Sequence, residues 1–365
     1  MKKTVNISKA SVLIAFSALV LFSSCKKDSA APQEPAKKAI GAYILHEGAF
    51  NMETYSSNSS IAYYNIEKGE IIQNYYQSVN GTAVGANAND LKAYGQKLYC
   101  VITGTEGGQN SYVDVIHVAT GKSIKKISFF NGNESSLPRF ITFDKGKAYV
   151  SNYDGTVSRI DTASLSIDGS VTLSKGLEQL AVANNKLYVA NSSHFMYVGK
   201  ENVVSVIDIN SFTKLKDIEV DFNPYSVTAT SSGDILVSSI GTYNDDAAVS
   251  RINTVSDTKQ TSYSFGGKII NGIIIGNANA YIYNDTFIKQ FNTGNGTLGA
   301  DFITDGSQIT TPYGLAIEPI SNDVYIADAN DYALEGEIFV FAKDGKKKFK
   351  GATASLPKSI VFRYN

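Results

Sequence analysis

"QKLYCV" at residues 96–101 is the first of six versions of one phrase. It returns as "GKAYVS" at 146–151, "NKLYVA" at 185–190, "GDILVS" at 233–238, "NAYIYN" at 279–284 and "NDVYIA" at 322–327. The aligned Tyr99, Tyr149, Tyr188, Leu236, Tyr281 and Tyr325 are spaced 39 to 50 residues apart. A second phrase follows each one, as in "VSRIDTAS", "VSVIDINS" and "VSRINTVS", and alternates with period two before a turn. A weaker third strand comes next, such as "KLKDIEV" at 214–220, and a fourth lies upstream, such as "PYSVTAT" at 224–230. Four short strands per ~45 residues is the period of a propeller blade. Solenoid repeats are shorter and need polar caps at both ends. No stretch has a convincing helical period of ~3.6.

The two ends of the repeat supply one further blade. "LPKSIVFRY" at 356–364 matches the first strand of a blade, with no blade behind it. "GAYILHEG" at 41–48, "SIAYYNIEKGE" and "IIQNYY" match the other three strands. The expected fold is therefore all-β: a seven-bladed propeller, four antiparallel strands per blade, closed by pairing of the N- and C-terminal strands in one blade. Closure pairs the edges that an open sheet would expose.

The innermost strands line the central channel of a propeller. Their opening phrases are "ANDL", "PRFI", "LEQL", "PYSV", "INGI", "PYGL" and "PKSI". Their second residues, Asn89, Arg139, Glu178, Tyr225, Asn271, Tyr313 and Lys358, are expected to ring one channel mouth. All seven are polar or amphipathic, which suits a wet rim facing a ligand or solvent alone. Loops joining the second and third strands reach the same face, and these carry the insertions: 47–60, 103–112, 191–202, 239–248 and 327–337. Variation confined to one class of loop points to a working surface. Phe50, Tyr55, Tyr112, Phe195, Met196, Tyr197, Tyr243 and Tyr332 lie there, beside His194. Aromatic side chains on exposed loops anchor recognition, unless they fold back into local loop cores.

Catalytic and metal signatures are weak. Among three histidines, His117 falls in a turn slot that Asp161, Asp208 and Asn253 hold in other blades, and His46 ends a strand. No H-E-x-x-H, paired-cysteine or Ser/His/Asp pattern occurs. "DANDYALEGE" at 328–337 lacks the glycine spacing of a calcium loop. The chain has no Trp, the residue on which quinone-cofactor propellers lean, and no cofactor is expected. Cys100 lies in a strand pattern and reads as a buried thiol. Glu178 with Arg139 is the one pair that an enzyme reading, such as a lactonase-type propeller, could use.

The start of the chain reads as a leader. Lys2 and Lys3 precede an apolar run from Val12 to Phe22, which is short for a bilayer span and long enough for a signal core. Ser23 and Ser24 then precede Cys25, as in a bacterial lipobox, so Cys25 is the expected lipidation site. Residues 1–24 are assigned as the signal, 25–40 as a flexible tether of Pro, Ala and charge, and 41–365 as one domain. Removing Lys2, Lys3 and Lys9 with the leader takes the formal net charge from −1 to −4. Nucleic acid is therefore not an expected partner, since it favours a basic face.

"GAYILHEGAFN", the repeated "KLYV" and "VSVIDINSF…NPYSV" together resemble the YncE-like propeller lipoproteins. Within that group they resemble surface proteins that capture cobalamin for a TonB-dependent outer-membrane transporter. The resemblance covers about residues 40–365 and the lipobox, with His46 where those relatives carry Asn. It implies a lipid-anchored protein of the outer membrane, facing outside, that holds a bulky nutrient on one propeller face. A cobalamin or other corrinoid is the first-choice ligand and the transporter the implied partner. A protein- or glycan-interaction platform is the alternative from another class.

Overall fold

The structure, a computed structural model, describes residues 37–193, 201–266, 269–277, 279–332 and 335–365, the side chain of Asn131 excepted. Residues 38–365 form one compact unit, which carries every strand among the described residues. Cys25 lies outside the described residues, as does the loop segment carrying His194, Phe195, Met196 and Tyr197.

Seven four-stranded antiparallel blades form the expected propeller. Blade I runs from its inner strand Ala88–Tyr94 through Lys97–Ile102 and Tyr112–His117 to Ser123–Ser128. The inner strands of blades II to VI are Pro138–Asp144, Leu177–Ala183, Pro224–Ala229, Gly272–Ile275 and Pro312–Ile317. Blade VII takes its inner strand, Pro357–Tyr364, from the end of the chain and Ala39–His46, Ser56–Asn65 and Glu70–Ile72 from the start. Tyr43 faces Val361 and Ile44 faces Ile360 across that seam.

Burial explains the repeated phrase. A blade is covered on both faces by its neighbours, so its second strand is apolar throughout instead of alternating. Lys97–Ile102 is buried from Leu98 onward, whereas the outer strand Thr213–Glu219 is mostly exposed. Seven apolar clusters result, each shared by two adjacent blades. The recurring tyrosine reaches from one blade to the next. Tyr188 donates to Asp257 at 2.6 Å, and Tyr43 donates to the Val118 carbonyl at 2.8 Å. Blades VI and VII also approach closely at their inner strands, where a Cβ on Gly314 would collide with the Lys358 carbonyl oxygen.

One expected strand is only half formed. "IIQNYY" pairs with its neighbour as far as Ile72, then turns through Asn74 (φ 49°) into a six-residue helix, Tyr75–Asn80. An extended chain would send Tyr75 and Tyr76 to opposite faces, but neighbours on a helix can both turn inward. Tyr75 packs 5.1 Å from the Tyr63 ring, and buried Tyr76 donates to Asp114 at 2.5 Å. The first strand begins at Ala39, two residues inside the stretch assigned as tether. His117 ends its strand and closes a turn, and Cys100 is a buried free thiol, both as expected.

Candidate functional site

Antiparallel order puts the first residues of every inner strand and the loops between second and third strands at one end of the ring. Asn87 shows the proximity: its side-chain amide donates to the Gly104 carbonyl, and its oxygen accepts from the Ser57 backbone. The turn leading into the inner strand needs a left-handed residue. Asn87, Gly176 and Asn223 fill that slot in three blades, and Leu137 and Leu356 fill it in two others, each with φ 53°. A branched side chain there is strained and persists where its surroundings hold it.

Five of the seven rim residues are joined in one hydrogen-bonded arc. Tyr313 donates to Glu47 at 2.5 Å, and Lys358 Nζ reaches the other oxygen of Glu47 and Asn89 Oδ1, the latter at 3.1 Å. Asn89 Oδ1 also accepts from Arg139 at 2.6 Å, and Asn89 Nδ2 donates to the Arg139 carbonyl. Arg139 then meets Glu178 at 3.2 Å, and Tyr153 donates to that carboxylate at 3.1 Å. The guanidinium also lies 4.5 Å from the centroid of the Tyr153 ring. The arc runs through blades VI, VII, I, II and III, with two acids balancing two bases. Burial alone would push the Glu47 carboxyl up, but Lys358 and the Tyr313 hydroxyl outweigh it and hold it low. Burial likewise works against the Lys358 ammonium, and Glu47 overcomes it, so the charge persists.

Tyr225 and Asn271 stand outside the arc. The Tyr225 ring packs edge-on against Phe140 at 5.8 Å, and Asn271 donates to Asp285. Tyr332 crosses Tyr313 at 87° with ring centroids 5.9 Å apart. Burial and the neighbouring Asp285 push its phenol up to about 12.

Two cavities adjoin the arc among the described residues. A cleft of about 650 Å³ is lined by Glu47, Asn89 and Arg139 of the arc, by Leu137, Leu356 and Tyr153, and by Phe50 and Tyr55 at its edge. Phe50 is 52% exposed and Tyr55 62%. The second cavity, about 850 Å³, is the axial channel, and Tyr225, Asn271, Tyr313, Tyr332 and Lys358 all line it. Asn89 borders both. Both volumes fall within the range of small-molecule sites, about 300–1,000 Å³.

The structure thus groups Phe50 and Tyr55 with Asn89 and Arg139, and Tyr332 with the other side of the rim. It does not bring in Tyr112, whose hydroxyl donates to the Val84 carbonyl beneath Lys126, nor Tyr243, which stands fully exposed on its own loop. Sequence reasoning missed Glu47 and Tyr153, which anchor the two ends of the arc. Both follow the outward end of a strand, at "HEG" and "NYDG", and share no repeated phrase that could mark them. Among the described residues no group of three or more His, Cys, Asp or Glu could hold a metal ion.

Solved structures share the fold at low identity. A quinoprotein alcohol dehydrogenase-like protein from Bacteroides thetaiotaomicron is 17% identical, with a TM-score of 0.64 over 87% of this chain and 77% of its own. A functionally unknown protein from Desulfotomaculum acetoxidans is 12% identical, with a TM-score of 0.60 over 89% of this chain and 99% of its own. Dihydro-heme d1 dehydrogenase NirN, in complex with DHE, is 8% identical, with a TM-score of 0.57 over 90% of this chain and 77% of its own. No curated protein sequence matches. Residues 40–348 match the family described as a domain of unknown function, DUF5074, and the chain belongs to that family.

Proposed function

We propose that this protein is a binding protein of the cell envelope that captures a bulky amphipathic small molecule at the mouth cleft, with a corrinoid as the first choice. One observation carries the reading: two largely exposed aromatic rings, Phe50 and Tyr55, flank a cleft with buried Leu137 and Leu356 in its wall. Exposed rings beside an apolar wall lose water readily when a flat ligand settles on them. The arc behind them is already satisfied internally, so it holds the wall rigid and lowers the ordering cost of binding. The choice of corrinoid, the lipid anchor at Cys25, the outer-membrane location and a TonB-dependent transporter as partner all rest on the resemblance to cobalamin-capturing lipoproteins. In this reading the protein binds and hands over its ligand without chemistry.

Calorimetric titration of cyanocobalamin into the purified protein tests the reading. The expected result is saturable binding that Phe50→Ala with Tyr55→Ala weakens by about tenfold or more. No heat and no thermal shift at micromolar ligand overturns it. The interaction-platform reading draws on Tyr243, a fully exposed ring that borders neither cavity.

A further inference from the structure

Blade V breaks the repeat at one position of its second strand. Two residues beyond the recurring tyrosine, the second strands carry Leu45, Val101, Ser151, Ala190, Ser238 and Ala327, but blade V carries Tyr283. Its cross-strand partner on the inner strand is Gly272. A Cβ on Gly272 would stand 2.8 Å from the Tyr283 ring and 3.0 Å from its hydroxyl oxygen. The missing side chain therefore lets the phenol lie across the inner strand, and both residues line the axial channel. Tyr283 is 8% exposed, yet its hydroxyl has no hydrogen-bond partner among the described residues. Tyr225, on the neighbouring inner strand, presents a second hydroxyl to the same space, also without a hydrogen-bond partner among the described residues.

We propose that the axial channel holds a second binding site, distinct from the mouth cleft, in which Tyr225 and Tyr283 donate hydrogen bonds to a neutral carbonyl oxygen such as that of a carboxamide. Both hydroxyls open on the channel instead of being sealed in the core, so an acceptor carried by a ligand can take a hydrogen bond that no protein group supplies, typically worth about 1 kcal/mol. Burial pushes both phenols up, so they remain donors at neutral pH. The nearest cation, Lys358, is already matched by Glu47. Asp285, held by Asn271, leaves a carboxylate at the same mouth. Lys92, the other lysine in the lining, is paired with Asp90. With both of these cations matched and a carboxylate close by, the channel disfavours an anion. The surrounding wall mixes apolar Phe140, Ile270 and Leu315 with polar Gln179, Thr228 and Ser226.

Acetamide and acetate, of nearly equal shape and different charge, form the test. The protein is prepared with ring-carbon-13 tyrosine, and the two resonances are assigned from Tyr225→Phe and Tyr283→Phe. Acetamide is expected to shift both resonances saturably, with affinity about tenfold above that of acetate, and the double variant to lose about tenfold. A water-filled channel, with no saturable shift, overturns the proposal. So does acetate binding as tightly as acetamide, or a double variant that binds acetamide unchanged. The cleft plays no part in this measurement, so either site can fail without the other.

Discussion

The ammonium of Lys358 meets the carboxylate of Glu47 although 311 residues separate them in the chain. The pair joins the inner strand of blade VII to the end of the adjoining strand, and both side chains are largely buried. Removing one partner strands the other charge, which costs more than the pair gains. Lys358→Met is expected to destabilise the protein by about 3 kcal/mol, and Lys358→Met with Glu47→Gln by less than the sum of the single changes. Urea unfolding of the four proteins measures the coupling. Additive single changes would mean that the pair is energetically slack.

His46 ends the first strand of the seam, with its ring nitrogens 2.7 Å from Thr353 Oγ1 and 3.3 Å from Ser60 Oγ. Burial lowers its pKa from 6.5 to about 4. Between those values the unfolded chain takes up a proton that the folded one refuses. Stability contributed by the neutral ring is complete above pH 6.5 and drains away as pH falls towards 4, by about 3 kcal/mol. His46→Asn is expected to remove that part of the acid sensitivity. Unfolding free energies of the two proteins at intervals from pH 7 to pH 4 measure the difference, and parallel curves would refute it.

Leu356 occupies a left-handed turn position in the cleft wall where three other blades place Asn or Gly. Leu356→Asn relieves backbone strain while giving up apolar contact, so the two effects oppose each other. The expected cost is about 1 kcal/mol, below the usual loss for a buried leucine, with a drop of about tenfold in cleft affinity for cyanocobalamin. Denaturation and titration of the same preparation separate the two quantities. A large loss of stability with unchanged affinity would make Leu356 a structural residue only.

Cys100 is fully buried in the core shared by blades VII and I, and burial raises its thiol well above the ordinary value. The thiolate is the reactive form. Native protein is expected to resist iodoacetamide at this position, and labelling is expected to follow the unfolding curve in urea. Peptide mass mapping reads it, and fast modification of folded protein would contradict the burial.

The propeller and its seam could be read from the chain because a repeated strand phrase reports burial between two neighbours, and that pattern needs no knowledge of distant contacts. The rim positions could be read for the same reason, as one register of the inner strands. What Asn89, Arg139 and Lys358 do there could not, because their partners Glu47 and Tyr153 come from turns with no periodicity. The helix at Tyr75–Asn80 was hidden because six residues are too few to show a period, and two packed tyrosines decide its path. Tyr283 was visible as the large residue in a column of smaller ones. Only the opposing Gly272 gives that oddity a direction.

The seam also sets an order of events during synthesis. The innermost strand of blade VII is made after the other six blades, so the early strands Ala39–His46 and Ser56–Asn65 must wait for it with one edge bare. Blades emerging in sequence can stack as they appear, at about 5–20 residues per second. The circle itself cannot shut until Pro357–Tyr364 has left the ribosome. A chain lacking that strand would retain six complete blades and carry a seventh with its inner edge bare, the kind of edge that pairs with a neighbouring chain.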